Sequence, residues 1–183
     1  PMPSPSPSEE PSPSPTPTEN PAYEDVQKNS IDFTKIKIVN DQMGYYPDGE
    51  KTSRLGVELS KSNGKVDFDW LKRNGIDFVM LKIGGRGYES GVISLDEQFT
   101  DYIEAAKKAD LDIGVTFYSQ AVSVTEAVDE ANFVINQLQS YTIRYPVALV
   151  MEEITNDTAR TDTLSVDQRR RIAEAFLQTI QYD

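Results

Sequence analysis

The chain has 183 residues, with 30 acidic and 18 basic side chains and a formal net charge of −12. Because it contains neither His nor Cys, it has no Ser-His-Asp or Cys-His nucleophile pair, no metal site built on imidazole or thiolate, and no disulfide. The acidic surplus also argues against nucleic acid as a partner, since binding to a phosphate backbone draws on clustered Lys and Arg. Proton transfer in any catalysis therefore falls to Asp, Glu, Lys or Tyr.

The first 22 residues are dominated by proline alternating with Ser or Thr. The run PMPSPSPSEEPSPSPTPTENP, residues 1–21, holds nine of the eleven prolines of the chain. Such a sequence favours an extended polyproline II conformation and has almost nothing apolar to bury. We therefore predict that residues 1–22 form a disordered linker that holds a domain away from a cell surface or from another domain.

Neither a membrane span nor a signal peptide is predicted. No run approaches the roughly 18 apolar residues of a transmembrane helix, and the start of the chain lacks the apolar segment typical of a signal peptide. Because the chain begins within the linker, we expect the natural protein to have more sequence before Pro1.

Residues 23–54 show a mixed pattern. The stretch Lys35–Val39 (KIKIV) alternates like a short strand, and Pro47-Asp48-Gly49 is a turn signal. We interpret this segment as a lead-in arm or hairpin without chemistry of its own.

From residue 55 onward, strand and helix patterns alternate four times. Apolar stretches predict the strands and apolar residues at helical spacing predict the helices, with Thr125 and Ser165 as caps of the last two. The predicted strands are Leu55–Ser60, Asp77–Gly85, Leu111–Ser119 and Tyr145–Glu153. The predicted helices are Asp67–Gly75, Asp96–Asp110, Val124–Leu138 and Ser165–Gln181. This order indicates an α/β fold with a parallel sheet, either a small open sheet or about half of an eight-stranded barrel.

The polar residues inside the predicted strands share one face. Side chains alternate between the two faces of a strand, and in each of these strands one face is apolar. The opposite face carries Glu58, Lys82, Tyr118, Gln120 and Glu152, each near the carboxyl end of its strand. Because active sites of parallel α/β proteins lie at these ends, the set predicts a polar pocket with carboxylates and an aromatic wall, suited to a sugar or polyol.

The run Gly84-Gly85-Arg86-Gly87 resembles a phosphate-binding loop only in composition. It does not match G-x-G-x-x-G and is not followed by Lys-Ser or Lys-Thr. We interpret its glycines as positions where the backbone approaches a ligand or makes a tight turn.

The segment from Ser53 to Asp183 resembles glycoside hydrolase family 25, the bacterial and phage lysozymes that cut the glycan of peptidoglycan. The resemblance is carried by TSRLGVELSKSNGKVDFDWLKRNGIDFVMLKIGGRGY, by AAKKADLDIGVTFYSQAVSVTEAVDEANFVI, and by YPVALVMEEI followed by ARTDTLS. It implies a TIM-like parallel (β/α) barrel, of which residues 55–183 form about four βα units and which is incomplete at the C-terminus. It also implies hydrolysis of the β-1,4 bond between N-acetylmuramic acid and N-acetylglucosamine, with no cofactor or metal ion.

The resemblance assigns roles by position. Glu152 corresponds to the Glu of an Asp-x-Glu motif on the fourth strand, which protonates the leaving oxygen. Glu58 stands where the family pattern G-[VI]-D-[VI]-S has an Asp, and it is the second predicted catalytic residue. The expected substrate-binding positions are Lys82, Tyr118, Ser119, Gln120 and Val150.

Two of these positions depart from the family pattern. Glu58 keeps the charge of an Asp but moves it about one methylene further from the backbone. Val150 is apolar where the Asp of Asp-x-Glu is expected, and strand alternation places it on the same face as Glu152. Loss of a well-placed electrostatic stabiliser typically costs about 10²–10³ in rate, so impaired activity is expected.

Three hypotheses remain open. The first is a cell-wall muramidase, represented by the N-terminal half of its domain. The second is a non-catalytic domain that binds peptidoglycan glycan strands. The third is an unrelated open α/β sheet in which Glu58, Glu152 and Glu153 bind a metal such as Mg²⁺, against which Lys82 on the same face argues. A Pro/Ser linker before such a domain is similar to surface enzymes of Gram-positive bacteria, so we expect an extracellular or cell-surface location.

Overall fold

The computed structural model describes residues 29–181. The chain divides into two units, residues 1–33 and 34–183, and the elements below belong to the second. The predicted linker, residues 1–22, lies outside the described residues, as do residues 23–28 of the predicted lead-in segment.

A β-hairpin lies at the start of the second unit. Strands β1 (Ile36–Val39) and β2 (Gln42–Tyr45) pair antiparallel and are joined by Asn40 and Asp41. Both connecting residues have positive φ angles, 51° and 60°, as a two-residue type I′ turn requires. The predicted first strand is confirmed, and the turn that closes the hairpin lies ahead of the predicted turn at Pro47-Asp48-Gly49.

Strands and helices alternate through the rest of the unit. In chain order the elements are β3 (Gly56–Leu59), α1 (Phe68–Arg73), β4 (Phe78–Arg86), β5 (Ile93–Leu95), α2 (Phe99–Lys108), β6 (Asp112–Tyr118), α3 (Val124–Leu138), β7 (Val147–Val150) and α4 (Val166–Gln181). Strands β3, β4, β6 and β7 are parallel neighbours in that order. The four predicted strand–helix units and their parallel sheet are therefore confirmed.

Strand β5 is not among the strands predicted from the sequence. It pairs antiparallel with the last three residues of β4, Gly84 to Arg86. Because β6 occupies the other edge of β4 as far as Gly85, β5 extends the edge on which β3 has already ended. A strand of three residues is too short to show a periodic pattern in the sequence.

The helix starts depend on local hydrogen bonds that the sequence indicates only in part. Helix α3 has the predicted bounds, but its N-cap is Ser123, whose Oγ accepts a hydrogen bond from the Glu126 N–H at 3.2 Å. The predicted cap Thr125 is therefore wrong. Ser165 does cap α4, since its Oγ accepts from the Gln168 N–H at 3.3 Å.

Helix α2 begins three residues later than predicted because Asp96 has another role. Its side chain is buried, with 6% exposed, and its carboxylate accepts hydrogen bonds from the backbone N–H groups of Lys61 and Gln98. These bonds hold Asp96 in the connection from β5 to α2, ahead of the first helical residue, Phe99.

The face of the sheet that the helices cover, called here the outer face, forms the core. The strand residues that share it have no exposed surface, as the alternation predicts: Val79, Leu81, Ile83, Val115 and Phe117. The helical residues that pack in the same core include Ile103 of α2, Ala131 and Val134 of α3, and Phe176 of α4. Burial of these apolar side chains is the main stabilisation of the fold.

The opposite face, called here the inner face, changes in character along the strands. Near the amino ends, the rings of Phe78 and Tyr145 stack with centroids 4.0 Å apart. Gly56 and Gly114 make room there, because an added Cβ would lie 2.3 Å from the Phe78 ring and 2.5 Å from Met80 Sδ, respectively. The inner face is therefore largely apolar between its amino end, where Asp112 pairs with Arg54, and the polar side chains near the carboxyl ends of the strands.

Within residues 29–181, β3 and β7 are the two outer strands of the parallel sheet and do not pair with each other. The observed class is thus α/β with a mostly parallel sheet, and barrel closure stays a prediction. No helix in the same residues is long and apolar enough to cross a membrane.

Candidate active site at the carboxyl ends of the strands

Glu58 and Tyr118 meet on the inner face. Oε1 of Glu58, on β3, accepts hydrogen bonds from Oγ1 of Thr116 at 2.8 Å and from Oη of Tyr118 at 3.2 Å. The two donors lie two residues apart on β6 and therefore share a face. The Glu58 side chain is exposed, whereas Thr116 is buried. The structure thus brings one predicted carboxylate and the predicted aromatic wall into direct contact.

Lys82 lies beside Tyr118. Its Nζ is 4.0 Å from the centroid of the Tyr118 ring, which is a cation–π contact. Lys82 is half-buried, and no carboxylate of the described residues forms an ion pair with it. Both residues line a cleft of about 200 Å³, together with Lys61 and the backbone of Gly84 and Gly85. The amine is therefore held at the wall of the cleft with hydrogen-bonding capacity left for a ligand.

The electrostatic surroundings of Tyr118 also involve Glu152. Burial raises the pKa of the Tyr118 hydroxyl, and the charge of Glu58, the hydrogen bond to it and the charge of Glu152 raise it further. The phenol therefore stays protonated at neutral pH and acts as a donor. Glu152 is close enough to contribute to this pKa, so the two predicted catalytic carboxylates act on the same tyrosine.

Glu152 lies in the loop that follows β7. Its side chain is exposed and makes no hydrogen bond or ion pair within the described residues, while its backbone carbonyl accepts from Nε2 of Gln120 at 3.3 Å. Val150, the last residue of β7, pairs with Tyr118 in the register between β6 and β7. Register partners of adjacent strands project to the same face, so Val150 lies beside Tyr118 on the inner face, as predicted from strand alternation.

Two of the predicted substrate-binding residues are buried and bonded within the protein. Ser119 is 3% exposed, and its Oγ donates to Oε2 of Glu130 at 2.6 Å. Gln120 is 6% exposed, and its Oε1 accepts from Oγ1 of Thr161 at 2.8 Å. The expectation that both side chains form the pocket wall is corrected, because their polar atoms are used to hold neighbouring loops. Strand β6 ends at Tyr118, so the alternation that placed Gln120 on the inner face does not extend to it.

A buried ion pair lies behind the site, and its two residues are not among the predicted site residues. Nε of Arg86 donates to Oε1 of Glu130 at 2.7 Å, and Glu130 has no exposed surface. Burial raises the pKa of Glu130, while hydrogen bonds from Ser119 and Arg86 act to lower it. The sequence does carry a signal, because Glu130 lies at helical spacing from the buried Ala127 and Val134 and so interrupts an apolar stripe.

A second ion pair connects the loops. Nη2 of Arg160 lies 2.8 Å from Oε1 of Glu126, and the Arg160 N–H donates to the Tyr88 carbonyl at 3.0 Å. Arg86 donates in addition to the Glu126 carbonyl at 3.0 Å. We call the ion pairs and hydrogen bonds of Arg86, Glu126, Glu130 and Arg160 the loop network. It joins the loops after β4, β6 and β7, which surround the candidate site.

The glycine run serves the sheet itself. A Cβ on Gly84 would lie 2.3 Å from the carbonyl oxygen of Ser94 on β5, and a Cβ on Gly85 would lie 2.8 Å from that of Tyr118. The pairing of β4 with β6 shifts by one residue between Lys82 and Gly84, which is a β-bulge. The close neighbours of Gly84 and Gly85 are therefore strands of the same protein, while their backbone also lines the cleft. Gly87 begins a turn, since its carbonyl accepts from the Gly91 N–H at 2.9 Å, which agrees with the predicted tight turn.

Within residues 29–181, no group of three or more acidic side chains is arranged to hold a metal ion. Glu58, Glu152 and Glu153, the candidates for a Mg²⁺ site, therefore form no such group. What the carboxyl ends of the strands do present is two carboxylates, a tyrosine hydroxyl and a lysine amine, and these ends are where active sites of parallel α/β proteins lie.

The sequence matches the family model "Glycosyl hydrolases family 25" over residues 57–182. The chain therefore belongs to glycosyl hydrolase family 25. No curated protein sequence matches it.

Solved structures of similar fold include lytic enzymes. The modular autolysin LytC from Streptococcus pneumoniae superimposes with a TM-score of 0.60 at 20% identity, over 80% of this chain and 35% of that one. The same autolysin in complex with a synthetic peptidoglycan ligand gives a TM-score of 0.59 at 17% identity, with the same coverage of 80% and 35%. A muramidase from Acremonium alcalophilum gives 0.57 at 21% identity, over 71% of this chain and 61% of that one. The chain thus spans between about a third and three fifths of the length of these proteins.

Proposed function

We propose that the chain contributes the N-terminal part of a peptidoglycan muramidase, which hydrolyses the β-1,4 bond between N-acetylmuramic acid and N-acetylglucosamine. The observation that carries the proposal is the contact of Glu58 with Tyr118 at the carboxyl ends of the strands, with Glu152 in the loop directly after β7, in a chain of family 25. Similar folds in an autolysin and a muramidase agree with it. The partner is then the glycan strand of peptidoglycan, which lies outside the cell membrane. Together with the Pro/Ser-rich linker sequence, this supports the proposal of an extracellular or cell-surface protein of a Gram-positive bacterium.

The proposed chemistry uses two carboxyl groups. In the proposed step, the carboxyl group of Glu152 gives a proton to the glycosidic oxygen as the bond to the leaving sugar breaks, and a water molecule that adds to the anomeric carbon returns a proton to the Glu152 carboxylate. The carboxylate of Glu58 faces the positive charge that develops at the anomeric carbon. Tyr118 and Lys82 form the wall against which the sugar is oriented. Glu152 has no internal hydrogen-bond partner within the described residues, so its carboxyl group is free to contact a bound ligand.

The test is release of reducing ends from purified peptidoglycan by the full-length protein and by two matched variants. Glu152→Gln removes the proposed acid without a change of shape, and we expect a loss of about 10²–10⁴ in kcat. Glu153→Gln removes the adjacent exposed carboxylate and is expected to leave kcat within about twofold. Equal activity of Glu152→Gln and the wild type would overturn the assignment of Glu152.

A second candidate function is glycan binding without cleavage. It is favoured by Val150, an apolar residue beside Tyr118 where the family pattern places a carboxylate. A wild-type protein that sediments with insoluble peptidoglycan but releases no reducing ends would establish this alternative. Absence of both sedimentation and release would exclude both functions.

A further inference from the structure

We propose that Thr116 is a positioning residue which, with Tyr118, holds the carboxylate of Glu58 so that it serves as the second carboxylate of the reaction, in place of the one missing at Val150. The inference rests on the proposed function and adds to it a residue that neither the strand pattern nor the family resemblance singles out. It follows from three features of the structure: the span of the Glu58 side chain, the burial of its donor, and the use of only one carboxylate oxygen.

The first feature is that Glu58 reaches across a strand. It lies on β3 and its donors lie on β6, with β4 between them. Two strand spacings amount to about 10 Å. In the register, Glu58 is level with Met80 and Met80 with Gly114, so that Thr116 is two residues closer to the carboxyl end. The side chain therefore leans across β4 toward the carboxyl end of the sheet.

This span gives a physical reason for Glu at position 58, where the family pattern has Asp. An Asp at position 58 would be shorter by one carbon–carbon bond, about 1.5 Å. That difference is enough to break a hydrogen bond of 2.8 Å to Thr116, since such bonds weaken steeply beyond about 3.2 Å. The Glu is therefore the acidic residue whose length fits the donor on β6.

The second feature is the burial of the donor. Thr116 is 5% exposed, and the carboxylate of Glu58 is the acceptor for its hydroxyl within the described residues. A buried hydroxyl requires a partner, and a β-branched side chain has little rotamer freedom. The donor is therefore fixed in place before any ligand binds, and it fixes the carboxylate in turn.

The third feature is that Thr116 and Tyr118 donate to the same oxygen. Both bonds end on Oε1, while Oε2 of Glu58 has no donor within residues 29–181 and the side chain is exposed. One oxygen thus anchors the group and the other faces the open side of the sheet. Tyr118 is also the register partner of Val150, so the carboxylate is anchored on the strand adjacent to the position that lacks one. A charge held in advance stabilises a developing cation at no cost of reorganisation.

The experiment compares Thr116→Val, which keeps the shape and removes the hydroxyl, with Thr116→Ser, which keeps the hydroxyl. Initial rates of reducing-end release by the full-length protein give kcat and KM, and thermal unfolding verifies the fold. We expect Thr116→Val to lower kcat about 10- to 100-fold with KM within about twofold, because the carboxylate is misplaced. Thr116→Ser is expected to stay within about threefold of the wild type.

A double-mutant cycle separates positioning from a general effect on the fold. In a Glu58→Gln background, Thr116→Val is expected to lower kcat no further, because the group it positions has lost its charge. An equal loss in both backgrounds would overturn the inference. If Thr116→Val does not fold, Tyr118→Phe removes the other donor to the same oxygen and is expected to lower kcat several-fold, again only while Glu58 is present.

The results distinguish this inference from the function on which it rests. Activity of the wild type that is lost in Glu152→Gln but unchanged in Thr116→Val supports the muramidase and overturns the positioning role. A wild type that releases no reducing ends overturns both.

Discussion

At the scale of single residues, the candidate site differs from a generic acidic cleft in how its carboxylates are held. Glu58 is anchored through one oxygen by two donors of β6, whereas Glu152 is exposed and makes no side-chain bond within the described residues. The proposed function assigns the two carboxyl groups different roles, Glu58 as a fixed charge and Glu152 as a proton donor. Val150 is the register partner of Tyr118, and it lies two residues before Glu152 in the chain.

A carboxylate introduced at position 150 tests whether Val150 limits the reaction. We expect Val150→Asp to raise kcat for reducing-end release by at least about tenfold, because it restores electrostatic stabilisation beside the reacting sugar. Val150→Asn has nearly the same shape as Val150→Asp without the charge and serves as the control. If the two variants have the same kcat, the charge missing at position 150 does not limit the rate.

At the scale of secondary-structure elements, a β-bulge decides where Arg86 points. The shift in register between Lys82 and Gly84 makes Gly85 the partner of Tyr118 on the inner face. The next residue, Arg86, therefore projects to the outer face and pairs with Glu130 of α3. Without the bulge, simple alternation would place Lys82 and Arg86 on the same face.

The buried pair of Arg86 and Glu130 is expected to dominate the stability of this region. Arg86→Met leaves the carboxylate of Glu130 buried without its cation, and we expect a loss of about 3–5 kcal/mol in the free energy of unfolding. The double variant Arg86→Met with Glu130→Met is expected to recover most of that loss, because no uncompensated charge remains. Urea denaturation of the three proteins measures both effects. A double variant as unstable as Arg86→Met would show that hydrogen bonds other than the ion pair are responsible.

The elements show which features the sequence predicts and why others escape it. Helix α3 has its predicted bounds because it is long and strongly amphipathic. Strand β5 escapes because three residues give no period. The orientations of Gln120 and Arg86 are not predicted for a common reason, which is that side-chain alternation is reliable only within an uninterrupted strand. Strand β6 ends before Gln120, and β4 has a bulge before Arg86. Glu58, Lys82 and Tyr118 are adjacent as predicted because their strands are regular up to those residues.

At the scale of the whole molecule, the loop network joins βα units that are distant in sequence. Arg160, in the loop after β7, is paired with Glu126 of α3 and bonded to the backbone of Tyr88 after β4. Burial acts to raise the pKa of Glu126, but hydrogen bonds from Arg160 and the Val122 N–H, with the charges of Arg86 and Arg160, lower it below its usual value. Stability therefore depends on this group being ionised.

The sign of the resulting pH dependence follows from the lowered pKa. The contribution of Glu126 is fully present above its unfolded pKa of about 4.3 and is lost as pH falls through the lower folded value. We expect Glu126→Gln to reduce the free energy of unfolding by about 1 kcal/mol at pH 7. That difference should shrink as the pH is lowered from 5 to 3, as followed by urea denaturation of both proteins at each pH. A difference independent of pH would mean that Glu126 acts through its shape and not its charge.

The stacked rings of Phe78 and Tyr145 affect which part of the inner face a polymer can reach. They fill the inner face at the amino ends of the strands, and the glycines beneath them leave no alternative space. The packed rings therefore leave the carboxyl ends of the strands as the accessible part of the inner face. Under the proposed function, a glycan strand would lie across these carboxyl ends, beside Glu58 and Tyr118, and would not pass along the inner face toward the amino ends.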